Sequence, residues 1–280
     1  MSSDPIGIIA GGGQFPLLFA QAARDSGRSV VAVGHLHETD AGLEGLADSF
    51  CWVKLGQLGK IISFLQRNGV RETAFLGTIT KTKIFTNVWP DLKGLSLWNK
   101  IDIKHDDSIL RALASSLEEE GIKVVESTLY LRQLLFPHGV LTKKKPTPTQ
   151  MEDIRFGWRI GREIGRLDIG QCVVVRDCTV LAVEAIEGTD AAIKRGGALG
   201  RNKAVVVKVR KPGQDFRFDL PAIGPTTIAS MLEVEASVLA VEAGQSLLFD
   251  SEEVIRLANK SGIVIVGLSE GADGSGPVLP

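Results

Sequence analysis

Short apolar runs alternate with segments of helical periodicity through the first half of the chain. Apolar runs flanked by glycine or polar residues indicate buried strands, and apolar residues spaced three and four apart indicate amphipathic helices. The predicted strands are 6–10, 29–34, 72–76 and 123–126, and the predicted helices are 15–26, 59–68 and 108–120. This alternation is typical of a parallel sheet covered by helices, so we expect a Rossmann-like α/β domain.

The second half carries a different mixture of elements. A hairpin is expected at 171–186, with a turn at 176–179. Further strands are predicted at 204–209, 237–241, 246–249 and 263–267, and helices at 151–166, 225–233 and 251–261. A hairpin beside strands that alternate with helices indicates a mixed sheet, so we expect a second α/β domain.

A charged, proline-punctuated segment separates the two halves. Residues 142–149 read TKKKPTPT, which suits neither a helix nor a strand. We therefore expect a linker at 139–150 that joins an N-terminal Rossmann-like domain, residues 1–138, to a C-terminal α/β catalytic domain, residues 151–280.

Length, charge and cysteine content bound the function. The chain has 280 residues, enough for two domains with separate cores. Its 32 Lys and Arg nearly balance its 33 Asp and Glu, for a net charge of −1. This balance argues against a nucleic-acid binder held by a global positive field. The three cysteines form no C-x-x-C pair, which suits a reducing compartment and makes a cysteine zinc site improbable.

The uncharged stretch 5–23 approaches the length of a membrane span. It contains four glycines and two prolines and follows an aspartate instead of a basic segment. A strand, a glycine turn and a helix explain it better than a span or a signal peptide. We therefore expect a cytoplasmic protein whose only membrane contact is peripheral.

Gly11, Gly12, Gly13 and Gln14 lie between a predicted strand and a predicted helix. Glycines at this position let backbone N–H groups approach a phosphate at the helix N-terminus. As a dinucleotide fingerprint the motif is poor, because Pro16 replaces the third glycine and the second strand ends in Gly-His instead of an acid. A tight turn without a ligand is the alternative.

Asp106 and Asp107 precede the helix predicted at 108–120. Helix capping explains Asp107. Asp106 is less well explained, and we expect it to contact a sugar hydroxyl or a metal-bound water.

Charge is strongly segregated in the second half. Residues 177–193 contain four acids and no base, whereas 194–217 contain eight bases and one acid. In an extended segment Asp215, Arg217 and Asp219 would share one face. Carboxylates bind Mg²⁺ or Mn²⁺, and cations such as Lys208 and Lys211 neutralise phosphoryl oxygens, so the region suits phosphoryl or pyrophosphate chemistry. A surface ladder of ion pairs is the alternative.

Five motifs in consistent order resemble one known family. They are IAGGGQFP at 9–16, DDSILR at 106–111, DIGQ at 168–171, VEAIEGTD at 183–190 and KPGQDFRFDLP at 211–221. Together they resemble the UDP-2,3-diacylglucosamine pyrophosphatase family of lipid A biosynthesis, the type without a calcineurin-like metallophosphatase motif. The last two motifs are specific, whereas the glycine motif alone is not.

The resemblance implies a cytoplasmic, metal-dependent hydrolase that splits UDP-2,3-diacylglucosamine into UMP and 2,3-diacylglucosamine 1-phosphate by attack of water on a phosphorus. By analogy we expect an acid of this segment to be the base or a metal ligand, and Asp219 is a stronger candidate than Asp215. The predicted ligands of Mg²⁺ or Mn²⁺ are Asp190, Asp215 and Asp219, which with Arg217 are also the predicted catalytic residues. The predicted substrate-binding residues are Gly11, Gly12, Gly13, Gln14, Asp106, Gln171, Thr189, Lys208 and Lys211.

The expected partner is the UDP-linked diacylated glucosamine, and no nucleic acid is expected to bind. Peripheral contact with the inner membrane and a homodimer are both compatible with the sequence. Two other function classes stay open. A nucleotide-sugar binding protein without turnover would leave the acids around Arg217 unexplained. An NAD(P)-dependent oxidoreductase would use the glycine turn as its main site.

Overall fold

The computed structural model describes residues 4–79, 89–98, 106–201, 203–217, 220–271 and 276–278. The chain forms two compact units. The first unit comprises Met1–Arg132 together with Asp215–Asp219, and the second comprises Gln133–Gln214 together with Leu220–Pro280. The chain therefore enters the first unit a second time, late in the sequence.

The first unit is built on a five-stranded parallel sheet in the order β3-β2-β1-β4-β5. Its strands are β1 Ile6–Ala10, β2 Val30–His35, β3 Ser49–Val53, β4 Glu72–Leu76 and β5 Lys123–Val124. Its helices are α1 Phe15–Asp25, α2 Gly42–Leu46, α3 Leu58–Arg67, α4 Leu92–Trp98 and α5 Asp106–Glu119. This arrangement confirms the predicted parallel α/β sheet.

Burial explains why these segments form strands and helices. Every residue of the central strand β1 is buried, as expected for a strand covered on both faces. The buried residues of α3 are Leu58, Ile61, Ile62 and Leu65, which recur at helical spacing and pack in the core with strand residues such as Val33. The sequence patterns did not predict β3, which is partly exposed along most of its length at the edge of the sheet.

The second unit is built on a mixed sheet in the order β14-β13-β11-β9-β7-β8, with β6 also paired to β13. The parallel strands are β9 Val205–Lys208, β11 Val238–Glu242 and β13 Val264–Glu270. The antiparallel strands are β6 Gly139–Val140, β7 Cys172–Arg176, β8 Thr179–Val183 and β14 Pro277–Val278. A separate parallel pair consists of β10 Ala222–Ile223 and β12 Leu247–Leu248. The predicted mixed sheet is confirmed.

Helices cover both faces of the second sheet. They are α6 Pro148–Arg166, α7 Thr189–Gly200, α8 Pro225–Glu233 and α9 Ser251–Ser261. One core joins α6, through Ile154 and Trp158, to one face of the sheet. The other core joins α7, α8 and α9 to the opposite face, where Cys172 and Val206 point.

The predicted linker at 139–150 lies inside the second unit. Gly139–Val140 forms β6 and pairs with β13. Thr147 caps α6 by accepting the Gln150 N–H at 3.3 Å, and the Gln150 side chain accepts the Thr147 N–H at 2.9 Å. Pro148 takes the first helical position, where its missing N–H costs nothing. The prolines therefore mark the start of a helix, and the two units divide at Arg132 instead of residue 138.

Within the described ranges, no helix combines the length and the apolar character needed to cross a membrane.

Candidate active site

The carboxyl end of β9 places a buried cation at the edge of the second sheet. Lys208, the last residue of β9, lies opposite Cys172 at the start of β7. Lys208 is only 4% exposed, and its Nζ donates a hydrogen bond to the Ala222 carbonyl oxygen at 2.9 Å. No ion pair joins Lys208 to an acid in the described part of the chain. An ammonium group with one acceptor has two N–H donors left for a ligand.

Glu184, one residue beyond β8, ties three elements together. Its carboxylate accepts the backbone N–H of Gln171 at 3.2 Å and the hydroxyl of Thr189 at 2.8 Å. Its own N–H donates to the Cys172 carbonyl oxygen at 2.9 Å. The side-chain oxygen Oε1 of Gln171 is buried and has no hydrogen-bond partner among the described residues. Glu184 therefore holds the starts of β7 and α7 beside each other.

The pKa of the Cys172 thiol is affected by burial and by nearby charged side chains. Burial raises the pKa of the thiol, the negative charges of Glu184 and Asp190 raise it further, and Lys208 opposes them. A thiol with a raised pKa stays protonated at neutral pH, so Cys172 is not a nucleophile. Lys208 lies opposite Cys172 in the sheet, and Glu184 is hydrogen-bonded to the Cys172 backbone, so these residues are neighbours.

Helix α7 begins at this point and was absent from the sequence prediction, which placed a glycine turn here. Its N-cap is Gly188, whose φ of 85° is accessible to glycine and whose position carries no side-chain cap. Thr189 and Asp190 form the start of the first turn. A helix N-terminus carries partial positive charge and unsatisfied N–H groups, which attract anions.

The structure thus brings together four of the predicted site residues. We call the group the Lys208 cluster, and its members are Gln171, Cys172, Glu184, Thr189, Asp190 and Lys208. Sequence reasoning gave no separate role to Glu184, although the alternation of β8 predicts an inward side chain one residue beyond its end. The cluster combines a buried cation and a helix N-terminus with orienting acids.

Lys211 has different surroundings, although it follows Lys208 by only three residues. Its Nζ donates to Asp168 Oδ1 at 2.7 Å, and both side chains are largely buried. Asp168 follows α6 and has a positive φ of 57°. The charge of Lys211 is therefore balanced within the protein.

Asp215 and Arg217 form a turn, so the predicted extended face at 215–219 is wrong for the described part of this segment. The Arg217 N–H donates to Asp215 Oδ1 at 3.0 Å, which bends the backbone back on itself. The Ser127 N–H donates to the Arg217 carbonyl oxygen at 3.0 Å. The turn belongs to the first unit, whereas Lys208 belongs to the second.

The guanidinium group of Arg217 is held between two carboxylates. Its Nε and Nη2 donate to Asp215 at 2.8–3.1 Å, and its Nη1 donates to Glu118 at 2.7 Å. The hydrogen bonds that Arg217 donates to Asp215 lower the pKa of Asp215 and raise the pKa of Arg217. Glu118 was missed because no local pattern distinguishes it from its acidic neighbours at the end of α5.

The glycine loop after β1 is packed against the chain that follows β4. The N–H of Gly11 donates to Leu76 O at 2.8 Å, and the N–H of Gly12 donates to Thr78 O at 2.7 Å. These two N–H groups are therefore already used within the protein. A phosphate would have to compete with these bonds, so the binding role of the loop stays a prediction, which also includes Gly13, with a φ of 88°, and Gln14.

His35 closes the same loop from the end of β2. Its Nδ1 lies 2.9 Å from the Ala10 carbonyl oxygen, which also accepts the Thr39 hydroxyl at 2.7 Å. His35 is buried, and this burial lowers the pKa of its imidazole. The neutral ring donates from Nδ1. His35 was noted in the sequence only as a strand end.

Two predicted residues fall outside these contacts. Asp106 begins α5, but its side chain lies outside the described part, and Asp219 lies outside the described residues altogether. Within the described ranges, no group of three His, Cys, Asp or Glu side chains could hold a metal ion. Asp190 and Asp215 belong to different units, and Arg217 engages both oxygens of Asp215. The assignment of Asp190, Asp215 and Asp219 as metal ligands therefore stays a prediction.

Family models cover nearly the whole chain. The LpxI N-terminal domain matches residues 5–134, and the LpxI C-terminal domain matches residues 137–266. The chain belongs to the LpxI family. The border between the two LpxI domains falls near the division of the structure at Arg132, and the Lys208 cluster lies in the LpxI C-terminal domain.

A curated LpxI relative supports the same assignment. The UDP-2,3-diacylglucosamine pyrophosphatase LpxI of Caulobacter vibrioides is 34% identical over 274 residues, which span 94% of this chain and 97% of that protein. The similarity therefore includes both LpxI domains.

Solved structures are more distant from this LpxI chain. The biotin carboxylase domain of Hydrogenobacter thermophilus 2-oxoglutarate carboxylase is 13% identical, covers 64% of this chain and 36% of its own, and gives a TM-score of 0.28. The structure of gox2253 is 10% identical over 88% of this chain and 78% of its own, with a TM-score of 0.31. Similarity at this level carries no argument about fold or function.

Proposed function

We propose that this chain hydrolyses the pyrophosphate bond of UDP-2,3-diacylglucosamine to give UMP and 2,3-diacylglucosamine 1-phosphate, as a step of lipid A biosynthesis. The observation that carries the proposal is the 34% identity to the Caulobacter vibrioides pyrophosphatase across both domains. In the reaction, the oxygen of a water molecule bonds to one phosphorus while the bond from that phosphorus to the bridging oxygen breaks. The bridging oxygen leaves with the other phosphate, and the water supplies the protons.

The Lys208 cluster is the proposed binding site for the phosphoryl groups. Lys208 has N–H donors left for a ligand, and the N-terminus of α7 adds further N–H groups beside it. Negative charge develops on phosphoryl oxygens as the bond breaks, and fixed donors in a buried site stabilise that charge. Asp168 balances Lys211, and Asp215 and Glu118 hold Arg217, so Lys208 is the cation best placed for this role.

Glu184 and Gln171 complete the proposed site in supporting roles. Glu184 accepts hydrogen bonds from both sides of the edge and fixes where α7 begins relative to Lys208. The buried Oε1 of Gln171 lacks a partner among the residues that the structure describes, and a bound substrate would supply one. Asp219 remains the predicted base or metal ligand.

The requirement for Mg²⁺ or Mn²⁺ stays a proposal that rests on the family resemblance. When bound, such an ion would stabilise charge on the phosphoryl oxygens. A homodimer and peripheral contact with the inner membrane are proposals of the same standing.

Replacing Lys208 tests the proposed phosphoryl site. Lys208→Met keeps much of the buried stem but removes the charge, so we expect kcat for UMP release to fall about 100-fold or more, by analogy with the loss of one transition-state donor. Lys203→Met is the matched control, because Lys203 is exposed, and it should retain wild-type kinetics. Steady-state kinetics on the folded variants decides the point, and near-normal kcat for Lys208→Met would remove Lys208 from the site.

A further inference from the structure

The turn at Asp215 and Arg217 crosses from one unit to the other and back. Gln214 and Leu220 belong to the second unit, whereas the segment between them belongs to the first. A short segment that leaves its own unit needs specific contacts to stay in place, because its backbone contributes little packing. The contacts around Arg217 supply them.

The contacts that anchor this turn are hydrogen bonds between charged groups, and one of them is bidentate. Arg217 makes a two-pronged contact with Asp215 and a further hydrogen bond to Glu118 of α5. The side chain of Asp215 is 18% exposed, that of Arg217 is 31% exposed and that of Glu118 is 41% exposed. Partial burial and bidentate geometry separate this group from an ordinary surface ion pair. We call Glu118, Asp215 and Arg217 the carboxylate clasp.

The clasp leaves Arg217 poorly suited to bind a phosphate. Each of its three guanidinium nitrogen atoms already donates to a carboxylate. A phosphoryl oxygen that approached the remaining N–H groups would lie beside both carboxylates, whose negative charge would repel the anionic ligand. The predicted role of Arg217 in neutralising phosphate therefore does not follow from its contacts.

We propose that Glu118 is a positioning residue for hydrolysis, because it holds Arg217 on the first unit. The proposal rests on the proposed pyrophosphatase function. In the sequence, Asp219 follows Arg217 by two residues, so the clasp lies directly before the acid predicted to act in the reaction. Glu118 acts through Arg217 and does not touch the substrate.

The neutral variant Glu118→Gln tests this role. Loss of the charge weakens the hold on Arg217, so kcat for UMP release falls at least about threefold while KM stays within about twofold of wild type. Glu119→Gln, the adjacent exposed acid on α5, is the matched control and retains wild-type kcat. Wild-type kcat in Glu118→Gln would overturn the proposal.

A double-mutant cycle separates positioning from direct phosphate binding. If the clasp acts as a unit, Arg217→Gln lowers kcat, and adding Glu118→Gln to it has little further effect. If Arg217 binds phosphate directly, Arg217→Gln raises KM, whereas Glu118→Gln leaves KM unchanged or lowers it, and the proposal is wrong. Hydrogen exchange at Ser127 gives a structural readout, since its N–H donates to Arg217 O and should exchange faster in both variants.

Two further controls keep the result interpretable. If Glu118→Gln fails to fold, Glu118→Asp replaces it as the test. Aspartate retains the charge with a shorter reach, so the clasp predicts a loss of kcat smaller than the roughly threefold loss expected for Glu118→Gln. Activity of the wild-type chain in the same assay separates a failure of the proposed function from a failure of the clasp proposal. No UMP from the wild-type chain contradicts the proposed function, whereas UMP from wild type with unchanged kinetics in the Glu118 variants contradicts only the clasp.

Discussion

At the scale of single residues, charge balance decides which cations are available for chemistry. The sequence presents Lys208, Lys211 and Arg217 as equivalent bases in one run. In the structure, Lys211 pairs with Asp168, and Arg217 pairs with two acids. Lys208 instead donates to a backbone carbonyl oxygen, that of Ala222. Asp168 and Glu118 lie far from Lys211 and Arg217 in the sequence, so the sequence pattern could not predict this difference.

His35 makes the stability of the protein depend on pH. Burial lowers the pKa of its imidazole in the folded state, so the unfolded chain binds the extra proton more readily. Stability is therefore retained above the unfolded value of about 6.5 and lost as the pH falls below it. We expect the free energy of unfolding in urea to be lower at about pH 5.5 than at about pH 7.5.

The variant His35→Gln isolates this effect. It removes the titrating group while keeping a donor for Ala10 O, so the difference in unfolding free energy between the two pH values should shrink. His138→Gln, at an exposed position, should keep the wild-type difference. An unchanged pH dependence in His35→Gln would show that other groups cause it.

At the scale of elements, periodicity predicted the strands and helices that bury apolar faces. Segment 72–76 was predicted with its observed bounds, as were the helices 225–233 and 251–261. Helix α7 was missed because glycine has low helix propensity and α7 contains Gly196, Gly197 and Gly200. These glycines have a packing role, since a Cβ at Gly196 would lie 2.6 Å from the Cβ of Val174. Tertiary packing overrides local propensity there.

The clasp and the helix cap show a second limit. A carboxylate two residues before an arginine suits both an extended ladder and a turn, and the hydrogen bond from the Arg217 N–H to Asp215 selects the turn. Likewise, the sequence TPT at 147–149 is typical of a linker, but two hydrogen bonds between Thr147 and Gln150 make it the start of a helix. In both places short-range polar contacts, which composition does not reveal, determine the backbone.

The glycine loop gives a prediction at this scale. A Cβ at Gly11 would overlap Thr78 O and lie 2.8 Å from the Thr78 carbonyl carbon. We therefore expect Gly11→Ala to lower the free energy of unfolding by about 1–3 kcal/mol. Gly45→Ala in α2 is the matched control, because a Cβ there meets no atom within 4 Å, and it should raise stability by about 0.5–1 kcal/mol. Chemical denaturation measures both, and equal stabilities for the two variants would contradict the packing argument.

At the scale of the whole molecule, two domains were predictable and their boundary was not. Asp215–Asp219 belongs to the first unit although the chain on either side of it belongs to the second, and sequence patterns do not reveal such an assignment. The net charge of −1 likewise hides the local segregation of acids and bases, several of which form ion pairs. Lys194 pairs with Glu233, and Arg195 pairs with Glu187. These pairs, with those of Lys211 and Arg217, balance part of the segregated charge within the protein, and the Lys208 cluster is the proposed binding site.

The central claim concerns which bond this LpxI-family chain breaks. Product analysis of UDP-2,3-diacylglucosamine incubated with the purified protein and Mg²⁺ or Mn²⁺ tests it most directly. We predict that UMP and 2,3-diacylglucosamine 1-phosphate accumulate in equal amounts and that no UDP appears. Release of UDP with unphosphorylated sugar lipid, or recovery of intact substrate, would contradict the account.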